Sequence, residues 1–222
     1  MPAKADPFLQ RRLLDVARID QAIAAAEHRR RTLPELAQIA DGTATVEKLR
    51  GALVLRQAEI GDLDRDARKL DNEIDAVRTR ANRSLSRLAR RQSTLEDDAL
   101  ELMERREEAD AEVARTEVEL STAQAQLAAA EQRRRDAFAD IDDELSRVTA
   151  ERAGLLDGMP PDLIKLYEQI RARGRTAAGA LNGGRCEACR MDLDRSALND
   201  IWAAPPDAVV RCTECGAILI RT

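Results

Sequence analysis

Four cysteines stand in two matching short spacings near the C-terminus. They are Cys186-Glu187-Ala188-Cys189 and Cys212-Thr213-Glu214-Cys215, with 22 residues between the pairs. Two residues between cysteines let both sulfurs point inward from one tight turn while backbone amides donate to them. Two such knuckles supply four soft ligands to one tetrahedral ion. Four thiolates close the coordination sphere and leave no position for water, so the ion expected is a single structural Zn2+. An iron held in the same four-sulfur way remains the alternative. A reducing compartment also argues for metal rather than disulfides at paired cysteines.

The surrounding residues suit that chemistry. Gly216 follows the last cysteine, where the chain must reverse. Arg185, Arg190 and Arg211 each adjoin a ligand and offset the charge of a four-thiolate site. Val209-Val210 and Ala217-Ile218-Leu219-Ile220 read as paired strands. Ser196 is expected to cap a short helix through Leu198 and Trp202, with Trp202 in the core and Pro205-Pro206 ending the helix. A unit of this size has too small a core to fold alone, so a metal would supply missing stability.

The elements upstream are of another kind. Charged residues make up 35% of the 222, aromatics 2%, and 39 residues are alanine. Such a chain cannot fill a wide core, but it can form long helices that meet along narrow seams. One seam runs through Val46, Leu49, Leu53, Arg56, Ile60, Leu63, Ala67, Leu70, Ile74 and Val77. A second runs from Leu95 through Leu102, Ala109, Val113, Leu120 and Leu127, slips by one residue near Arg134, and resumes at Phe138, Ile141, Leu145 and Val148. A looser upstream pattern (Leu9, Leu13, Val16, Ile23) is set off by Thr32-Leu33-Pro34-Glu35, which fits a capping box, and a further interruption is expected at Asp41-Gly42. A turn around Ala81-Asn82-Arg83 would fold the two seams together as a hairpin. The rival is one helix from about residue 35 to 157 pairing with another chain. The helical region stops at Gly158-Met159-Pro160-Pro161. A short amphipathic helix follows with Leu163, Leu166, Tyr167 and Ile170 on one face, and then Gly174, Gly179, Gly183 and Gly184 suggest a flexible connection.

The expected class is mostly α: a long antiparallel helical-hairpin coiled coil with a small C-terminal β zinc ribbon. Its segments are 1–157 for the hairpin, 158–182 for the short helix and linker, and 183–222 for the ribbon. No apolar run is long enough to cross a membrane, and the N-terminus lacks the apolar stretch of a signal peptide, which points to the cytoplasm.

Several segments carry a wider likeness: Arg31-Thr32-Leu33-Pro34-Glu35, Arg91-Gln92-Ser93-Thr94-Leu95-Glu96-Asp97, Met103-Glu104-Arg105-Arg106-Glu107-Glu108, and the two knuckles with Ala204-Pro205-Pro206 between them. With these, nearly the whole chain resembles the bacterial C4-type zinc-ribbon and coiled-coil hairpin family. The resemblance implies a non-enzymatic adaptor that contacts an alternative sigma factor or RNA.

The residues themselves leave function between two classes. Arg171, Arg173, Arg175, Arg185 and Arg190 face one acid, Glu187, within residues 171–190. Arginine beside a ribbon suits phosphate contact, which would be backbone-driven and salt-sensitive because no aromatics are interleaved for base stacking. A second run (Arg78, Arg80, Arg83, Arg87, Arg90, Arg91) marks the hairpin tip. The alternative is a protein-interaction module holding a transcription or translation factor, as a monomer or as a dimer through the coil. Catalysis finds no constellation: His28 is the only histidine and sits among Glu27, Arg29 and Arg30 on a helix surface.

Overall fold

The computed structural model describes residues 4–80 and 85–221. In chain order the elements are α1 (Pro7–Arg31), α2 (Pro34–Arg80), α3 (Leu85–Leu156), α4 (Pro161–Arg171), β1 (Ala178–Asn182), β2 (Arg185–Cys186), α5 (Arg195–Ala203), β3 (Val210–Arg211) and β4 (Ile218–Arg221). Two compact units emerge, one of Leu33–Arg135 and one of Met1–Thr32 with Asp136–Thr222. They cut the chain differently from the linear segments 1–157, 158–182 and 183–222.

The Leu33–Arg135 unit is an antiparallel helical hairpin. Arg133 donates to Gln38 at 2.9 Å, Arg106 pairs with Asp64 at 3.2 Å and Arg91 with Glu73 at 3.4 Å, so one number falls as the other rises. Pairing within one chain displaces the rival reading of a single continuous helix. The turn expected around Ala81-Asn82-Arg83 lies outside the described residues. Along α2 every apolar seam position from Val46 to Val77 is buried or half-buried, while Arg56 is exposed. The break expected at Asp41-Gly42 is absent and α2 runs through it. A Cβ on Gly42 would stand 3.4 Å from the Leu127 side chain, an ordinary van der Waals contact between the two helices.

The break before Pro34 is real, but it is made differently from a capping box. Thr32 closes α1: its hydroxyl donates back to the His28 carbonyl at 2.9 Å, and Pro34 opens α2. Further along, half-burial passes from Arg134 to both Ala137 and Phe138, which is the expected one-residue slip inside an unbroken α3.

The other unit is built on a four-stranded sheet of order β2-β1-β4-β3, in which β1 and β4 are parallel and the outer pairs antiparallel. Side chains alternate between its faces. Ile218 and Ile220 join Leu13 and Val16 of α1 and Leu163, Tyr167 and Ile170 of α4. Leu219 faces Cys186, Cys212 and Ile201. Each of these three strand residues is fully buried, worth roughly 1.5–3 kcal/mol apiece. On α4, Leu163, Tyr167 and Ile170 are buried as the 3-4 spacing predicts, and α1 meets the end of α3 through Ile19, Ile23 and Val148.

Three expectations fail here. Gly179 belongs to an inner strand rather than a flexible linker, because pairing with Ile218–Arg221 outweighs the weak strand propensity of Ala-Gly-Ala. The cap of α5 is Asp194, whose carboxylate accepts from the Ala197 amide at 2.7 Å, rather than Ser196. Trp202 is 58% exposed, so it is no part of the ribbon core; Leu181, Leu193, Ile201 and Leu219 fill that place.

Candidate metal centre

The two knuckles are one structure used twice. Arg190 N donates to the Cys186 carbonyl at 2.7 Å, and Gly216 N to that of Cys212 at 2.9 Å. Cys186 N donates to Met191 O at 3.0 Å, and Cys212 N to Ala217 O at 2.9 Å. The arginine before each first cysteine also closes its own turn: Arg185 Nε donates to Arg190 O at 2.8 Å, and Arg211 Nε to Gly216 O at 2.9 Å. The residue after each second cysteine has a left-handed backbone, φ 62° at Arg190 and φ 77° at Gly216. The second knuckle uses glycine where the first strains an arginine.

Gly179 sets the position of the first knuckle. On β1 it shares the sheet face of Leu181, and a Cβ there would lie 2.6 Å from the Ala188 backbone nitrogen. The backbone between the two cysteines therefore rests directly on the strand. At the other end, Glu187 N donates to Ala180 O at 3.0 Å.

These supports bring the four sulfurs together. Cys186 Sγ is 4.0 Å from Cys215 Sγ, Cys189 Sγ is 3.9 Å from Cys212 Sγ, and all four lie within 4.8 Å of one another. A tetrahedron with Zn–S bonds of about 2.3 Å has edges of about 3.8 Å, so the cluster matches the ion with little adjustment. The protonation chemistry agrees. Burial pushes the Cys186 thiol up to about 12, against the amides of Cys189 and Ala188. Burial also raises Cys215. At Cys189 burial opposes the charge, but the Met191 amide and the neighbouring sulfurs outweigh it and hold the thiol below its ordinary value. Such a cluster does not ionise fully by itself. A divalent cation is what makes four thiolates stable at this depth, and the site holds one structural Zn2+.

The arginines divide. Arg171 is half-buried and committed: it pairs with Asp20 at 3.0 Å and Glu168 at 3.4 Å. There Asp20 also takes the Tyr167 hydroxyl at 2.7 Å and Arg152 at 2.7 Å, while Arg152 reaches on to Glu168. Arg173, Arg175, Arg185 and Arg190 are exposed, and among the described residues none of the four is ion-paired. Arg175 and Arg185 each make one bond to a carbonyl, Arg175 to Cys215 O at 3.4 Å.

Two structural arginines carried no local signal. Arg221 gathers the carbonyls of Ile201, Ala204, Pro205, Pro206 and Ala208, and Arg12 those of Gly154, Leu155 and Asp157. Each closes a helix end from far along the chain. His28 is exposed, as its surroundings imply. No helix among the described residues is long and apolar enough to cross a membrane.

Comparison with known proteins agrees with this architecture. The model of the CT398-like coiled coil hairpin domain matches residues 16–89 and 83–175, and that of the C4-type zinc ribbon domain matches residues 185–219. An uncharacterized protein of Mycobacterium tuberculosis is 37% identical, across 98% of this chain and 97% of its own length. A solved structure from Mycobacterium smegmatis, also 37% identical, superposes with a TM-score of 0.88 and covers 99% of this chain and 100% of its own. CT398 from Chlamydia trachomatis shares the fold at 16% identity and a TM-score of 0.61, covering 96% of this chain and 94% of its own. With a hairpin of this register and a four-cysteine ribbon of this geometry, the chain belongs to the family of CT398-like coiled-coil hairpin proteins that carry a C4-type zinc ribbon.

Proposed function

We propose that this protein is a non-enzymatic cytoplasmic adaptor whose ribbon contacts a nucleic-acid backbone, RNA or DNA. The observation that carries the reading is the group of exposed arginines without carboxylate partners, Arg173, Arg175, Arg185 and Arg190, from the end of α4 through the first knuckle. Guanidinium groups left unneutralised on a rigid support attract phosphate. The coiled-coil hairpin and zinc ribbon fit an adaptor. Arg171 is a support within this reading, since its charge is spent on Asp20 and Glu168.

Fluorescence anisotropy of the zinc-loaded protein with labelled RNA and duplex DNA, over a salt series, tests it. Binding should weaken steeply with salt and be lost in the combined Arg173→Glu, Arg175→Glu and Arg190→Glu variant. Absence of binding at low salt would overturn it.

A second reading, a module that holds a transcription or translation factor, is favoured by the apolar side chains exposed on the hairpin, Val54, Leu55, Leu100, Met103 and Val118. One stoichiometric protein recovered after nuclease treatment would support that reading instead.

A further inference from the structure

Aromatic side chains are scarce in this chain, four in 222 residues. Tyr167 is buried and Phe138 half-buried, whereas Trp202 is 58% and Phe8 68% exposed. Trp202 lines a groove of about 310 Å³ together with Pro7, Arg11, Pro206, Ile220 and Arg221. Tryptophan is enriched among the residues that anchor protein contacts.

The groove is held rigid from beneath. Arg221 binds five carbonyls of the segment Ile201–Ala208, which contains Trp202. Gln10, only 3% exposed, donates to Ala5 O at 2.8 Å and Pro206 O at 3.3 Å and so ties α1 to the same segment. A site ordered in advance pays less to bind.

Its charge selects the occupant. The lining holds two guanidinium groups, Arg11 and Arg221, and no acid. Carbonyls satisfy the hydrogen bonds of Arg221 without cancelling its charge, and among the described residues neither arginine has an ion-pair partner.

We infer that this groove docks an acidic peptide segment of a partner protein: an apolar side chain packs on Trp202 and Pro206, both exposed, and flanking carboxylates meet Arg11 and the field of Arg221. The site is separate from the arginines of the nucleic-acid reading and stands or falls independently of them.

Trp202 is the only tryptophan, so its emission reports the groove. The probe is the blocked peptide Ac-Asp-Glu-Leu-Phe-Asp-Glu-amide, titrated into zinc-loaded full-length protein. The expected result is a saturable blue shift, weakened about tenfold by Arg11→Glu and unchanged by the Arg173→Glu, Arg175→Glu pair. With a fluorescein-labelled peptide, Trp202→Ala should lose binding while its melting temperature stays that of the parent. No response at millimolar peptide would overturn the inference. So would equal binding of the Lys-for-acid peptide, indifference to Arg11→Glu, displacement by an RNA oligonucleotide, or a blue shift that grows with protein concentration alone, which would assign the groove to a second copy.

Discussion

Arg185 Nε donates to the main-chain carbonyl of Arg190 at 2.8 Å, bracing the loop that carries Cys186 and Cys189 from outside. Arg211 repeats the contact on Gly216 at 2.9 Å, 26 residues later in the same frame. A residue type chosen in the sequence for its charge thus serves first as a strut.

Replacing Arg185 or Arg211 with alanine removes that strut and should cost about 1–2 kcal/mol of ribbon stability. Zinc should pass faster to a chromophoric chelator from either variant. Unchanged transfer rates would show that the turns stand without the braces.

Gly179→Ala places a methyl group against the Ala188 nitrogen, which lies 2.6 Å from the ideal Cβ position. Backbone cannot yield as a flexible side chain does, so about 1–3 kcal/mol should be lost. The melting temperature of the zinc-loaded protein and its zinc stoichiometry would both fall. Gly154→Ala, with open space around its Cβ in a helix, is the matched control and should be neutral or stabilising.

Arg190 adopts φ 62° where the second knuckle has glycine. Arg190→Gly should therefore stabilise the ribbon by about 1 kcal/mol, the cost of the left-handed arrangement less the extra freedom gained by the unfolded chain. Denaturant midpoints of the two proteins test this, and a destabilised variant would mean that the arginine side chain contributes more than its backbone costs.

Tyr167 is buried and donates to Asp20, and both burial and that bond raise its proton affinity. The folded state then keeps the phenol proton that the unfolded chain gives up at about pH 10. Stability from this group is whole below that pH and declines as pH rises beyond it. As the chain has one tyrosine, tyrosinate absorbance measures it directly. Ionisation should lag well behind that of free tyrosine, and Tyr167→Phe should abolish the alkaline decline; normal titration would contradict the buried donor.

Removing zinc leaves the four sulfurs without the cation that neutralises them, and burial raises Cys186 and Cys215. Chelation should make the ribbon, from residue 183 on, sensitive to protease, while the hairpin keeps its helical circular dichroism through its own seam. Acid should release zinc likewise, since protons compete for the same sulfurs. Retention of a protected ribbon in chelator would show that Ile218, Leu219 and Ile220 suffice alone.

Much of this was legible in order along the chain. The cysteine spacing named its chemistry, because a knuckle needs only residues a few positions apart. The seam from Val46 to Val77 named its buried face, because helix periodicity is local. The break at Pro34 was also visible, although the cap that Thr32 makes with His28 was not.

What depended on distant partners was not legible. Gly179 reads as linker until β4 lies beside it, and Trp202 reads as core until Leu219 and Ile201 occupy the core first. Arg171 and Arg173 are indistinguishable in sequence, yet Asp20, far away in α1, neutralises one of them and leaves the other. The metal ligands, the seams and the helical class could be read along the chain, since each rests on spacing within a few turns. Which arginines are spent, which glycine is a contact and which aromatic is exposed emerged with the packing. Each of those outcomes is set by a neighbour brought up from elsewhere in the chain.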